Sequence, residues 1–258
     1  MIQHWLRFLH LDTVRFGTIE GDKIRVFKGD MFDSPSRTDI AIKLAEATLL
    51  TPVVPGKVLA MWNNYHALGQ KLGLAPPAEP LYLIKPPNTY LAPGATIRKP
   101  RVADSGAKVA FEGELAIVIG STCSGVTADS APDHIFGYTC ANDVTVNEII
   151  GRDPSFPQWA RAKGFDTFCP FGPVVATGLN PAMLVVRTLL NGEVRQDYPV
   201  NDMVFSAAEL VSRISQDMTL EPGDLILCGT SVGVGSMRAG STIEVEIDGI
   251  GTLTNRYE

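Results

Sequence analysis

Apolar and polar positions alternate along the first part of the chain. The runs WLRFLHL and RFGTIEGDKIRVF step between the two with a period of two, and Gly21-Asp22 divides the second run. That pattern predicts short strands and a tight hairpin turn. Residues 39–50 then carry apolar residues at helical spacing, with Pro52 and Pro55 closing the segment, so a helix is expected there. Residues 1–55 therefore read as a small N-terminal β-rich subdomain. TPVVPGKV is the expected linker into a main body spanning residues 56–258.

From Val58 onward strand patterns dominate. KVLAMW, LYLIK, ELAIVIG, GPVVAT, LVVRTLLNGEV, DLILCG and TIEVEIDGIGTLTN are rich in strand-forming residues and bounded by Gly, Pro or Asn. Asn191-Gly192 is a strong hairpin signal. Helical spacing is confined to residues 64–72, 128–135, 144–150 and 206–216. The last begins with Ser206 three residues before Glu209, the spacing of a capping box. Neither a strict strand–helix alternation nor a bundle is present, so the expected class is α+β, built on a large curled sheet.

Composition narrows the function classes. At 258 residues and 45% hydrophobic, the chain can bury a substantial core. The net charge of −6 shows no basic excess, which argues against a nucleic-acid partner. Apolar runs are short, such as residues 115–119, whereas a membrane helix needs roughly 20 apolar residues. The N-terminus has no signal-peptide pattern. Cys123, Cys140, Cys169 and Cys228 form no C-x-x-C pair; they are expected to be small buried hydrophobes in a reducing, cytoplasmic setting.

Five segments carry chemistry. Glu112-Gly113-Glu114 opens ELAIVIG; residues i and i+2 of a strand share a face, so two carboxylates stand side by side and repel unless a cation sits between them. Solvated acids on a strand edge are the plainer alternative. Asn142-Asp143 follows HIFGYTCA, and Asp143 is either a helix N-cap or a third carboxylate. Three such oxygens suit a hard ion, Mg²⁺ or Mn²⁺. Lys163, in a loop-like segment rich in Gly, Pro and aromatic residues, could balance their charge; a solvated surface lysine is its other reading. GTSVGVG, residues 229–235, offers hydroxyls and backbone N–H groups after a strand and could hold a carboxylate. It lacks the Gly-Lys-Ser/Thr of a nucleotide loop. His66 in WNNYHALGQKLG is either a locally bonded residue or a site group, with LAPPAEP as a potential lid.

Taken together, YLIKPPNTYLAPG, EGELAIVIG, FGYTCANDV, QWARAKGFDTFCPFGPVV, LLNGEVRQ, TLEPGDLILCGTSVGVG and IEVEIDGIGTLTN resemble the fumarylacetoacetate hydrolase family in order and spacing. The resemblance implies a mixed β-sandwich roll with barrel-like character, usually a homodimer. It implies that Glu112, Glu114 and Asp143 ligate Mg²⁺ or Mn²⁺, that Lys163 stabilises developing negative charge, and that Thr230 receives a substrate carboxylate. Gly229, Ser231, Tyr65 and Lys85 join the implied substrate-binding positions, and His66 is a candidate catalytic group.

The implied activity is metal-dependent carbon–carbon cleavage of a small 2-oxo or 2,4-dioxo acid. The alternatives are decarboxylation or isomerisation of a 2-oxo-enoic diacid, and non-catalytic binding of a 2-oxo acid. Three departures bear on that choice. The family's Asn-Tyr-x-x-His-x-x-Glu string is replaced by Asn64-Tyr65-His66, with Gly69 and Gln70 where an acid is expected. Its Ser/Thr-x-Arg-Asp string is replaced by Thr145-Val146-Asn147-Glu148, and Ser231 stands where Pro is common. Decarboxylation and tautomerisation need no attacking water, so neither depends on the missing acid.

Overall fold

The computed structural model describes residues 2–258, together with their side chains except at 104 and 105. The class is α+β and mostly strand. The longest strand hidden at every position is Gly113–Ile119. Strand alternation sends Leu115, Ile117 and Ile119 into one core, and Ala116 and Val118 into another on the opposite face. A strand covered on both faces belongs at the centre of a sheet. Gly113–Ile119 pairs antiparallel with Ile135–Asn142 on one side and with Leu225–Leu227 on the other. Beyond Leu225–Leu227 come Val58–Trp62, in parallel, and Leu81–Lys85. Beyond Ile135–Asn142 comes Cys169–Thr177, then Gln3–His10.

The N-terminal strands extend this same sheet. Gln3–His10 pairs with Cys169–Thr177 in the register Gln3↔Thr177 and Trp5↔Val175, and the meander continues through Thr13–Glu20, Lys23–Asp30 and Asp33–Lys43. The sheet ends at Asp33–Lys43 on one side and Leu81–Lys85 on the other, and no closed barrel forms among the described residues. A five-stranded sheet, ordered Glu193–Pro199, Val185–Leu190, Thr242–Ile247, Gly251–Tyr257 and Thr96–Ile97, shares the first core with the long sheet. Helix Ala207–Asp217 packs Leu210, Val211 and Ile214 into that core, and its Ser206–Glu209 capping box forms. The Asn191-Gly192 hairpin forms between Val185–Leu190 and Glu193–Pro199.

The helix expected over residues 39–50 is absent. The segment continues strand Asp33–Lys43, turns through a 3-10 turn at Leu44–Glu46, and ends in Thr48–Leu49. Ile40 and Leu44 are four apart, and positions i and i+4 share a face in both a helix and a strand. The hairpin partner decides between them: Ile24↔Ile42 and Lys23↔Lys43 fix the extended form. The other short helices are trimmed to His66–Leu72 and Asn147–Ile150, and residues 128–135 supply only the 3-10 turn Ala131–His134. All four cysteines are buried and free. No helix among the described residues is long and apolar enough to cross a membrane.

A third core contains Phe111, Val144, Val146, Ile149, Ala162 and Phe168. These residues flank Glu112, Asp143 and Lys163 in sequence, so the apolar packing anchors the chain segments that carry the charged groups.

Candidate active site

Backbone pairing explains how acids from two stretches meet. Gly113 pairs with Asn142, the last residue of Ile135–Asn142, so the residues just outside the ladder lie together. Asp143 N–H donates to Glu112 O at 2.9 Å, and Glu112 N–H donates to Asn142 Oδ1 at 3.0 Å. Carboxylate oxygens of Glu112, Glu114 and Asp143 then lie within 4.8 Å of one another. Glu112 sits just before the strand and keeps 13% of its side chain exposed, which opens the cluster toward solvent.

Two lysines enter this cluster. Lys163 ends helix Trp159–Lys163, and its Nζ donates to Asp143 Oδ2 at 2.5 Å, Glu112 Oε2 at 2.7 Å and Thr145 Oγ1 at 2.7 Å. Lys85 ends strand Leu81–Lys85, and its Nζ donates to Asp143 Oδ1 at 2.5 Å and to the Lys163 carbonyl at 3.0 Å. Both lysines are buried, so the surface-lysine reading fails for Lys163. Asp143 is no helix cap either: the next helix starts at Asn147, and both Asp143 oxygens face ammonium groups.

The environments drive the acids apart. Burial alone would raise the Asp143 carboxyl, but the Lys163 and Lys85 ammoniums outweigh it and hold it below its ordinary value. Glu114 is pushed well above the usual carboxylate range by burial first, then by the Asp143 and Glu112 charges. Glu112 is raised by burial, against the pull of Lys163. Burial would lower Lys163, yet Asp143, Glu112 and Glu114 together raise it, so it stays an ammonium at neutral pH. Glu114 Oε2 accepts from Gly229 N–H at 2.7 Å, while its Oε1 is buried with no hydrogen-bond partner among the described residues.

The glycine loop is knitted to the acidic strand. Thr230 Oγ1 donates to Gly113 O at 3.0 Å, and Gly233 has φ +98°, where a side chain would run into the Arg195 carbonyl. Ser231 is fully buried and its hydroxyl has no partner among the described residues. Gln196 and Tyr198, two apart on Glu193–Pro199, face inward and reach the same place. Gln196 Oε1 accepts from Gly113 N–H at 3.0 Å, and its Nε2 donates to Thr230 Oγ1 at 2.8 Å and to Ser231 O at 3.2 Å. Tyr198 OH donates to Gly113 O at 2.5 Å.

Gly113 has room for no side chain, because a methyl there would overlap the Thr188 hydroxyl. Gly113→Ala is therefore expected to lower stability by about 1–3 kcal/mol through overpacking. Urea denaturation checks this, and an unchanged midpoint would show that Thr188 yields without cost.

Tyr65 is buried beside the loop, its ring edge-to-face with Tyr198 at 4.9 Å, and its hydroxyl lacks a partner among the described residues. Burial first, then neighbouring Tyr198, Cys228 and Glu114, pushes its phenol far up, so it stays neutral. His66 is different. It is exposed at the start of helix His66–Leu72, and among the described residues no carboxylate hydrogen-bonds to its ring. The structure thus bonds Glu112, Asp143, Lys163 and Lys85 into one network, joins Glu114 and the adjacent strand to Gly229 and Thr230 of the loop beside it, and leaves His66 outside both.

Sequence reasoning assigned no role to Thr145, Gln196 or Tyr198. The available signal was the pair Gln196 and Tyr198 on the inward face of a strand whose alternate positions are exposed.

Residues 57–258 match the fumarylacetoacetate (FAA) hydrolase C-terminal family, and residues 3–52 match an Rv2993c-like N-terminal family. Protein Rv2993c of Mycobacterium tuberculosis is 42% identical over 254 residues, covering 95% of this chain and 94% of its own. Oxaloacetate tautomerase YisK of Bacillus subtilis is 37% identical over 227 residues, covering 83% of this chain and 74% of its own. A crystal structure of 2-hydroxyhepta-2,4-diene-1,7-dioate isomerase from Mycobacterium marinum superposes with TM-score 0.89 at 40% identity, covering 99% of this chain and 98% of that one. Maleylpyruvate hydrolase from Sphingobium sp. SYK-6, solved with manganese(II) and pyruvate, superposes with TM-score 0.78 at 29% identity over 98% of each chain.

Proposed function

Because this chain belongs to the fumarylacetoacetate hydrolase family, we propose that it is a divalent-ion-dependent enzyme that moves a proton beside the keto group of a small 2-oxo diacid, a tautomerase or isomerase. The observation that carries this reading is Lys163: a buried ammonium held between the Glu112 and Asp143 carboxylates, with His66 outside the network.

The donor set fits a hard divalent ion. Glu114 Oε1 is buried and has no hydrogen-bond partner among the described residues, and three carboxylates offer oxygens within 4.8 Å of one another. Three carboxylates against two ammoniums leave a formal charge of −1, so a divalent ion would turn the cluster positive and suited to an anionic substrate. The manganese and pyruvate seen in the maleylpyruvate hydrolase point to the same ligand chemistry in that relative.

When bound, a divalent ion supplies Lewis-acid polarisation of the keto oxygen. The protein's own groups do the rest. Lys163 remains protonated, so it acts as a fixed positive charge toward the oxygen on which negative charge develops, rather than as a base. Lys85 neutralises part of Asp143 from the opposite side and holds the end of helix Trp159–Lys163 through the Lys163 carbonyl. Thr230, with Gly229 and Ser231, would orient the substrate carboxylate. Tautomerisation moves the proton from the carbon next to the keto group to the keto oxygen, with solvent as its carrier, and consumes no water as a nucleophile.

The test is an oxaloacetate keto–enol assay followed by the ultraviolet absorbance of the enol, with and without chelator. Turnover is expected to vanish in EDTA and return with Mg²⁺ or Mn²⁺; metal-independent turnover would sink the proposal. The raised Glu114 carboxyl adds a second readout. At low pH its proton competes with the ion, and as pH rises through its elevated range that competitor leaves. Ion affinity is expected to climb with pH and binding to release a proton, as measured by calorimetry in buffers of differing ionisation enthalpy.

Hydrolytic carbon–carbon cleavage is the second reading, supported by the maleylpyruvate hydrolase neighbour. It requires a base against a water, so an acylpyruvate cleaved at a rate comparable to tautomerisation, and lost in His66→Ala, would favour it.

A further inference from the structure

Resting on that reading, we propose that Gln196 is a positioning residue that keeps Thr230 a hydrogen-bond donor toward the substrate carboxylate. A hydroxyl carries one proton and two acceptor sites, so its direction depends on its neighbours. Gln196 is buried, and its amide orientation is fixed: the oxygen faces Gly113 N–H, and the reverse orientation would set NH₂ against that donor. Its nitrogen must then donate to Thr230 Oγ1. Ser231 O takes the second hydrogen.

A Thr230 oxygen already accepting from Gln196 must point its own proton elsewhere, and Gly113 O receives it. That carbonyl also accepts from Tyr198 OH at 2.5 Å. Thr230 can therefore swing its O–H from Gly113 O to an arriving carboxylate without stranding a buried acceptor, because Tyr198 still donates to that carbonyl. The same side chain ties the acidic strand to the loop, since Gly113 lies between Glu112 and Glu114.

The test measures oxalate binding to Mn²⁺-loaded protein by calorimetry, alongside Mn²⁺ binding alone. Gln196→Glu keeps an acceptor for Gly113 N–H but, ionised, accepts the Thr230 proton and turns it away from the ligand. Oxalate affinity is expected to fall about tenfold or more, the scale of one hydrogen bond to a charged group, while Mn²⁺ affinity moves less than about threefold. Thr230→Val is expected to give a similar loss, and the double variant no more than the larger single, because both changes remove one interaction.

A merely structural role would instead lower Mn²⁺ and oxalate affinity together and add to Thr230→Val. Either result, or unchanged oxalate affinity in either single variant, overturns the inference. Gln196→Met, neutral and of similar length, carries the same cycle if Gln196→Glu does not fold by circular dichroism. Wild-type protein that binds Mn²⁺ but no oxalate, or neither, rejects the underlying functional reading instead. A wild type that binds both while the cycle is additive rejects only the role of Gln196.

Discussion

Asp143→Ala is expected to lose about 3–5 kcal/mol of folding stability along with metal-dependent turnover, whereas Glu114→Gln loses the turnover and keeps its stability. Both residues are buried acids in one cluster, so the contrast is a sharp one. Asp143 is bonded on both oxygens, to Lys163 and to Lys85. Removing it leaves two buried ammoniums with reduced compensation, and an uncompensated buried charge is costlier than the pair it came from. Glu114 has one oxygen bonded to Gly229 N–H and the other bonded to nothing among the described residues, and its environment already disfavours the charge. A glutamine keeps the acceptor for Gly229 and removes the charge. Urea midpoints for the two variants in EDTA, paired with turnover, decide the matter. Equal destabilisation would mean that the two acids share the lysines, contrary to the bonding observed.

Lys163→Met is expected to lower kcat by about 10²–10³-fold, the cost of removing one preorganised charge from a developing anion. It is also expected to tighten divalent-ion binding. Lys163 Nζ occupies oxygens of both Glu112 and Asp143, so in its absence an ion competes with no ammonium for Glu112 and with only Lys85 for Asp143. Titration calorimetry reads the affinity and steady-state kinetics the rate. A variant with wild-type kcat would remove Lys163 from the chemistry, and one with weaker ion binding would mean that the lysine orients the carboxylates more than it competes with the ion.

Much of the candidate site was legible because its members sit at element ends, where motif and geometry coincide. Glu112 and Glu114 lie next to a glycine at a strand start, and Asp143 directly follows an apolar strand. Lys163 was found through its context rather than its type. What spacing could not reveal was pairing. Nothing local says that Lys85 shares Asp143 with Lys163, or that Gln196 reaches across from a second sheet to Thr230. Those contacts depend on how two sheets pack, and a lone glutamine in a hairpin has no local period that names its partner. The segment around Ile40 and Ile42 failed for the complementary reason. Its local pattern satisfied two periods at once, and a partner strand chose.

Gly113–Ile119, enclosed on both faces and paired on both edges, is expected to be among the segments whose amides exchange with solvent only when the whole domain opens. Glu114 therefore belongs to the frame and cannot retreat to admit a ligand. Access has to come from the rim where Glu112 is partly open to water. Sequence change in that rim can retune which acids enter while the charged centre keeps its shape.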